Sequence, residues 1–197
     1  MFLLGLTGSI GMGKSTTATM FREEGCPVWD ADAAVHRLYS EGGGAVSAIQ
    51  DLFPDAVSNG AVDRRALRDI IQADPNALVQ IESIVHPLVA EDRARFVHEN
   101  GSSDILVFDI PLLFETGGNA GMDAVAVVSV SPEVQENRVL ERGTMTRSQF
   151  FQIRAKQTPD EEKRAGADFV IETDTLEHAR SQVQDIVKRI RSRIDNA

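Results

Sequence analysis

The sequence predicts an α/β protein, a parallel five-stranded sheet with helices on both faces. Three observations predict it. Five short apolar runs alternate with stretches of helical periodicity, as when strands are joined by crossover helices. The first run leads directly into Gly8-Ser9-Ile10-Gly11-Met12-Gly13-Lys14-Ser15, which has the G-x-x-x-x-G-K-[ST] spacing of a phosphate-binding loop. At 197 residues the chain suits one domain with insertions, large enough to bury about 70% of its unfolded surface without a covalent staple.

Phe2-Leu3-Leu4-Gly5-Leu6 reads as the first strand. The loop follows, with Gly8, Gly11 and Gly13 expected at positive φ, and then a helix over Thr16 to Glu24 that Gly25 ends. Strand, glycine loop and helix together make this a P-loop NTPase-type sheet. Pro27-Val28-Trp29 is the second strand, ending at Asp30, and Ala31 to Ser40 a helix. After Gly42-Gly43-Gly44, Ala45 to Phe53 has helical spacing. Asp63 caps a helix carrying Leu67 and Ile70, and Asp74-Pro75 starts another. Pro87 predicts a kink or a break near His86. Ile105 to Phe108, Ala124 to Val130 and Phe169 to Ile171 are the other strands. A last helix is expected from Asp174, with Glu177 in capping-box spacing.

The net charge of −10 argues against a nucleic-acid partner. It also repels a nucleotide, so cations are expected in one place. From Arg138 to Arg164 seven basic residues face four acidic ones, a local +3. Such arginines suit a lid over phosphates, and without counter-charges they predict an open, mobile segment. No apolar run approaches the length of a membrane span. The one cysteine, Cys26, reads as a buried hydrophobe, and a cytoplasmic location is expected.

Ligands of such sheets gather beyond the carboxyl ends of the strands. The backbone of Gly11, Met12, Gly13, Lys14, Ser15 and Thr16 is expected to cradle ATP phosphates, with Lys14 reaching the β- and γ-phosphates. Asp109 follows four apolar residues, and with Ser15 it is the candidate Mg²⁺ ligand. Asp32 is the candidate base for an acceptor hydroxyl. Asp30 is equally readable as a helix cap, and Glu115 is a weaker site candidate.

These residues resemble the dephospho-coenzyme A kinase family. The resemblance runs through the phosphate loop, Asp30-Ala31-Asp32, His86-Pro87 and Asp109-Ile110-Pro111-Leu112-Leu113-Phe114-Glu115. It continues in Gln157-Thr158-Pro159, Glu161-Glu162-Lys163-Arg164 and Ala167-Asp168-Phe169-Val170-Ile171. It implies ATP-dependent phosphorylation of the dephospho-CoA ribose 3′-hydroxyl, with Mg²⁺. It also implies a nucleotide core over residues 1–58, 99–137 and 165–197, a CoA-binding helical insertion over 59–98 and a lid over 138–164. Asp32 and Lys14 take catalytic roles by this resemblance, with Arg142 in the lid on ATP. Asp30, Asp32, Arg64, Arg65 and His86 fall on the acceptor side. The expected form is a monomer or small homo-oligomer with small-molecule partners only, ATP and dephospho-CoA. Two positions depart from the family: Met12 replaces a small polar residue, and Glu172-Thr173-Asp174 replaces an Asn- and Gly-bearing turn. A nucleoside monophosphate-type kinase is the alternative reading. A regulatory switch is disfavoured because Asn-Lys-x-Asp is absent and Asp109-Ile110-Pro111-Leu112 lacks the Asp-x-x-Gly glycine.

Overall fold

The computed structural model describes residues 1–196. The chain forms two compact units, one of Met1–Trp29 with the chain from Asn100 onward, the other of Asp30–Glu99. It begins with β1 (Phe2–Thr7), α1 (Lys14–Glu23), β2 (Val28–Asp30), α2 (Ala31–Tyr39) and α3 (Val46–Leu52). A hairpin of β3 (Val57–Ser58) and β4 (Ala61–Val62) precedes α4 (Arg64–Ala73) and α5 (Pro75–Glu99). Then come β5 (Ile105–Asp109), β6 (Ala124–Ser129), α6 (Pro132–Glu141), α7 (Arg147–Arg154) and α8 (Asp160–Ala165), with β7 (Phe169–Glu172) and α9 (Leu176–Asp195) last.

The main sheet has the order β2-β5-β1-β6-β7. β1 is central and pairs in parallel with β5, Leu6 opposite Asp109, and with β6, Leu6 opposite Ala126. β6 pairs in parallel with β7. The phosphate loop therefore leaves the carboxyl end of the middle strand, where the order of connections reverses and ligands of such sheets bind.

Strand alternation divides the core. Ala124, Ala126 and Val128 face a cluster with Met20 and Phe21 of α1 and Val183, Val187 and Ile190 of α9. Val125 and Val127 point the other way, onto Leu113, Phe114 and Met122. In this unit the second face is thus covered chiefly by the 110–122 connection rather than by a long helix. α1 ends as expected. The Cys26 N–H bonds Phe21 O and the Gly25 N–H, at φ +80°, bonds Arg22 O. Cys26 is buried, and burial pushes its thiol up to about 11.

The second unit starts at Asp30, not at 59. The reason is packing: Ala45 and Ile49 share one core with Leu67, Ile81 and Val85, joined by Leu38 and Tyr39 of α2. An ion pair from Arg37 Nη2 to Asp92 Oδ1, 2.6 Å, ties α2 to α5. Asp30 caps α2 by accepting from the Ala33 N–H, and Asp63 caps α4. No break occurs at Pro87; α5 runs through it for 25 residues. Ile81 and Val85 bury the preceding turns, so the helix continues despite the missing N–H. The β3–β4 hairpin turns at Asn59 and Gly60, both at positive φ. At α9 the cap is Thr175, which accepts from the His178 N–H, whereas Asp174 bonds the His178 ring. Glu177 consequently stands one position too early for a capping box.

Gly8 differs from its expected role. It has no positive φ, and a Cβ there would lie 2.3 Å from Val128 Cγ2 and 2.9 Å from Val128 O. The position requires close packing of the loop on β6. Gly8→Ala is expected to destabilise the protein by about 1–3 kcal/mol, the usual range for overpacking. A thermal melt indistinguishable from the parent would contradict this.

Candidate active site

Gly11 and Gly13 adopt the left-handed conformation expected of them, at φ +80° and +92°. Gly13 is the N-cap of α1, so Lys14, Ser15 and Thr16 form its first turn, where backbone N–H groups lack helical partners. Met12 behaves otherwise than expected. Its N–H closes the loop onto Ser9 O at 3.1 Å, and its buried sulfur accepts from the Val130 N–H. It supports the loop rather than presenting its N–H to a ligand.

Lys14 forms an ion pair with Asp109 at the end of β5. Asp109 is only 2% exposed, a depth at which a carboxylate requires a counter-charge. Ser15, next to Lys14 in sequence, is exposed. Its hydroxyl and the Asp109 carboxylate are hard oxygen donors that suit Mg²⁺, which takes few protein ligands and uses substrate phosphates for the rest. No cluster of three or more His, Cys, Asp or Glu able to hold a metal by itself occurs among the described residues.

Four side chains hold the loop, of which only Gln135 carries no mark in the sequence; Gln157, Arg138 and Thr173 stand in the family motif, the basic segment and the departing turn, without a loop role read from them. Gln135 Nε2 donates to Ile10 O at 2.8 Å, and Gln157 Oε1 accepts from the Ile10 N–H at 3.1 Å. Thr173 Oγ1 donates to Met12 O, and Arg138 donates to Thr173. The departure from the family turn at Thr173 was the available signal. Beside the loop opens a cleft of about 1330 Å³, whose lining includes Ser9, Met12, Phe151, Arg154, Gln157 and Arg164. That is ample for a nucleotide.

The basic segment is not the set of uncompensated cations that its charge predicts. Arg147 pairs with Glu136, and Arg154 stacks over Phe150 and Phe151. Lys163 is fully buried, 2.9 Å from Glu115 Oε1. Burial alone would raise the Glu115 carboxyl. Bonds from Lys163 and from the backbone N–H of Glu115 and Thr158 outweigh it and hold the group below the usual carboxylate range. Arg142 is exposed at the C-cap of α6, and it is Arg154 and Arg164 that line the cleft. Since most of these charges have partners, the electrostatic reason for an open, mobile segment falls away.

The acceptor-side candidates lie in the second unit. Asp32 is exposed in the first turn of α2. Arg64 and Arg65 open α4, and Arg64 stacks 5.6 Å over the Tyr39 ring. Burial raises the Tyr39 hydroxyl pKa, an effect Arg64 partly offsets. His86 is exposed in the middle of α5.

A lysine meeting a strand-end aspartate beneath a phosphate loop, at the carboxyl end of the central strand, places the first unit in the P-loop class of kinases. Known proteins narrow this. A family model described as dephospho-CoA kinase matches residues 2–178. A dephospho-CoA kinase of Ruegeria pomeroyi is 69% identical over 191 residues, 97% of this chain and 96% of that protein. One of Cereibacter sphaeroides is 57% identical over 194 residues, 98% of each. The solved structure of a Thermus thermophilus protein aligns with a TM-score of 0.82 at 33% identity, over 95% of this chain and 96% of that one. The chain belongs to the dephospho-CoA kinase family.

The Lys14–Asp109 pair allows stability to be separated from chemistry. Lys14→Ala deprives a buried carboxylate of this counter-charge and is expected to cost about 3 kcal/mol. Lys14→Ala combined with Asp109→Asn should recover much of that in a thermal melt while staying inactive in a kinase assay. Recovery of activity in the double variant would remove both residues from the chemistry.

Proposed function

We propose that this chain transfers the γ-phosphoryl group of ATP to the 3′-hydroxyl of the dephospho-CoA ribose, completing coenzyme A. Membership of the family over residues 2–178 supports the two substrates. The observation that carries the chemistry is the Lys14–Asp109 pair at the phosphate loop. Phosphoryl transfer needs little covalent work from the protein, only positioning and charge stabilisation.

In this reading the N–H groups of Gly13, Lys14, Ser15 and Thr16 bind the phosphates. Lys14 leaves its pairing with Asp109 to follow the charge onto the moving phosphoryl group. Ser15 and Asp109 would hold Mg²⁺, which when bound would neutralise negative charge on the phosphates. The nucleoside of ATP occupies the cleft beside Arg154 and Arg164, with α7 and α8 as its cover and Arg142 at the outer edge. Asp32, two residues beyond the end of β2, accepts the proton of the 3′-hydroxyl. Asp30, Arg64, Arg65 and His86 serve the acceptor. The enzyme acts as a monomer or small homo-oligomer in the cytoplasm, whose reducing conditions suit the buried Cys26 thiol. No helix among the described residues is long and apolar enough to cross a membrane.

The acceptor is tested by offering dephospho-CoA, AMP and uridine with ATP and Mg²⁺. Dephospho-CoA should support turnover far above the others, with phosphate at the ribose 3′ position of the product. A preference for AMP would favour a nucleoside monophosphate kinase instead.

Asp32→Asn keeps the shape and removes the base. It is expected to lower kcat by roughly 10²- to 10⁴-fold while ATP binding is unchanged. Full turnover in Asp32→Asn with loss in Asp30→Asn would exchange the roles of the two aspartates.

The cover reading makes its own prediction. Hydrogen exchange across residues 147–165 should slow further on adding ATP, although most of its cations already have partners. Arg154→Ala should weaken ATP use without changing the KM for dephospho-CoA. Exchange unaffected by ATP would make this segment a static surface.

A further inference from the structure

The turn after β7 carries a device that none of the proposed roles uses. Thr173 is 6% exposed, and its backbone N–H bonds Ser129 O at 2.9 Å, so it is anchored to the sheet. Its hydroxyl accepts from Arg138 Nη1 at 3.1 Å, while Arg138 Nη2 donates to Thr173 O at 2.6 Å. A hydroxyl has one proton, and a guanidinium can only donate. The Thr173 proton must therefore go elsewhere. The best placed acceptor is Met12 O at 2.7 Å, with Ser129 O more distant at 3.4 Å. The bond from Arg138 polarises the hydroxyl and strengthens its donation to Met12.

The Met12 carbonyl belongs to the peptide that also carries the Gly13 N–H. In a planar trans peptide these two groups point in opposite directions. Holding the carbonyl towards Thr173 turns the Gly13 N–H away from it. Gly13 is the left-handed N-cap from which α1 and Lys14 start, and a Cβ on it would lie 3.2 Å from both Cβ and Oγ1 of Thr173. One hydroxyl thus meets the phosphate loop at the peptide that sets the direction of its last N–H groups.

We propose that Thr173, backed by Arg138, is a positioning residue for phosphoryl transfer that fixes the Met12–Gly13 peptide before ATP arrives. The inference rests on the reading of the loop as the ATP phosphate site. It predicts an effect on turnover with the acceptor side untouched, because neither residue belongs to the second unit.

The test is a kinetic comparison of Thr173→Val and Thr173→Ser with ATP and dephospho-CoA. Valine keeps the shape and lacks the proton; serine keeps the proton. Thr173→Val is expected to lower kcat roughly tenfold or more, with the KM for dephospho-CoA within about twofold of the parent. Thr173→Ser should restore kcat to within about threefold. Arg138→Met should act in the same direction, and combining it with Thr173→Val should cost no more than the larger single loss, as for residues acting through one bond. Should Thr173→Val fail to fold, Thr173→Ser against Arg138→Met decides by the same measures. Parental kcat in Thr173→Val, or an equal loss in Thr173→Ser, overturns the proposal. Lys14→Ala is measured alongside. An inactive Lys14→Ala with a fully active Thr173→Val removes only the latch, whereas an active Lys14→Ala removes the reading of the loop itself.

Discussion

The ion pair between Lys14 and Asp109 is the constraint on which the site depends. Lys14 begins α1 and Asp109 ends β5, so one contact joins the helix that follows the phosphate loop to the strand beside the central one. Asp109 is almost wholly buried, where a carboxylate is stabilised by a counter-charge, and Lys14 supplies one. The register of β1 on β5 puts Leu6 opposite Asp109, and the loop starts two residues later. Sheet pairing therefore brings the carboxylate to the loop, where the Lys14 ammonium pairs with it.

Support of the loop is distributed in the same way. Its peptide groups are held by Gln135 from α6, Gln157 from the segment before α8 and Thr173 after β7. Gly8 is fitted against β6 by close packing. A loop held from so many directions keeps its donors arranged before the ligand binds, and preorganised dipoles need no reorganisation as charge moves. Phosphate loops carry few side chains that reach the ligand, so their surroundings must determine their shape.

The acidic balance of the chain and its basic segment have a simple physical resolution. Most cations between Arg138 and Arg164 are engaged within the protein: Arg138 on Thr173, Arg147 on Glu136, Arg154 on two phenylalanine rings and Lys163 buried on Glu115. The local +3 counted along the sequence is mostly spent on internal structure. What faces the cleft is narrower, chiefly Arg154 and Arg164 beside Asp160, Glu161, Glu172 and Asp174.

The sequence by itself determined the five strands of the main sheet, the order of loop and helix, the caps at Asp63 and Asp74, and the burial of Cys26, and it left the cap at Asp30 as one of two readings. These are local properties: period, cap chemistry and glycine spacing act over a few residues. It also contained signals that went unread, Asn59-Gly60 for the hairpin and Thr146-x-x-Gln149 for the cap of α7. Only the tertiary structure decided where the second unit begins, since Ala45 and Ile49 join Leu67 and Val85 through packing that no local pattern announces. Only it showed that Gly8 is small because of Val128, that Met12 is a buried support and that Pro87 leaves α5 unbroken. The same holds for Thr173, which stands 161 residues from the carbonyl it holds. Contacts of that separation depend on the arrangement of the sheet, and charge or period counted along a chain carries no information about which distant partner a side chain will meet.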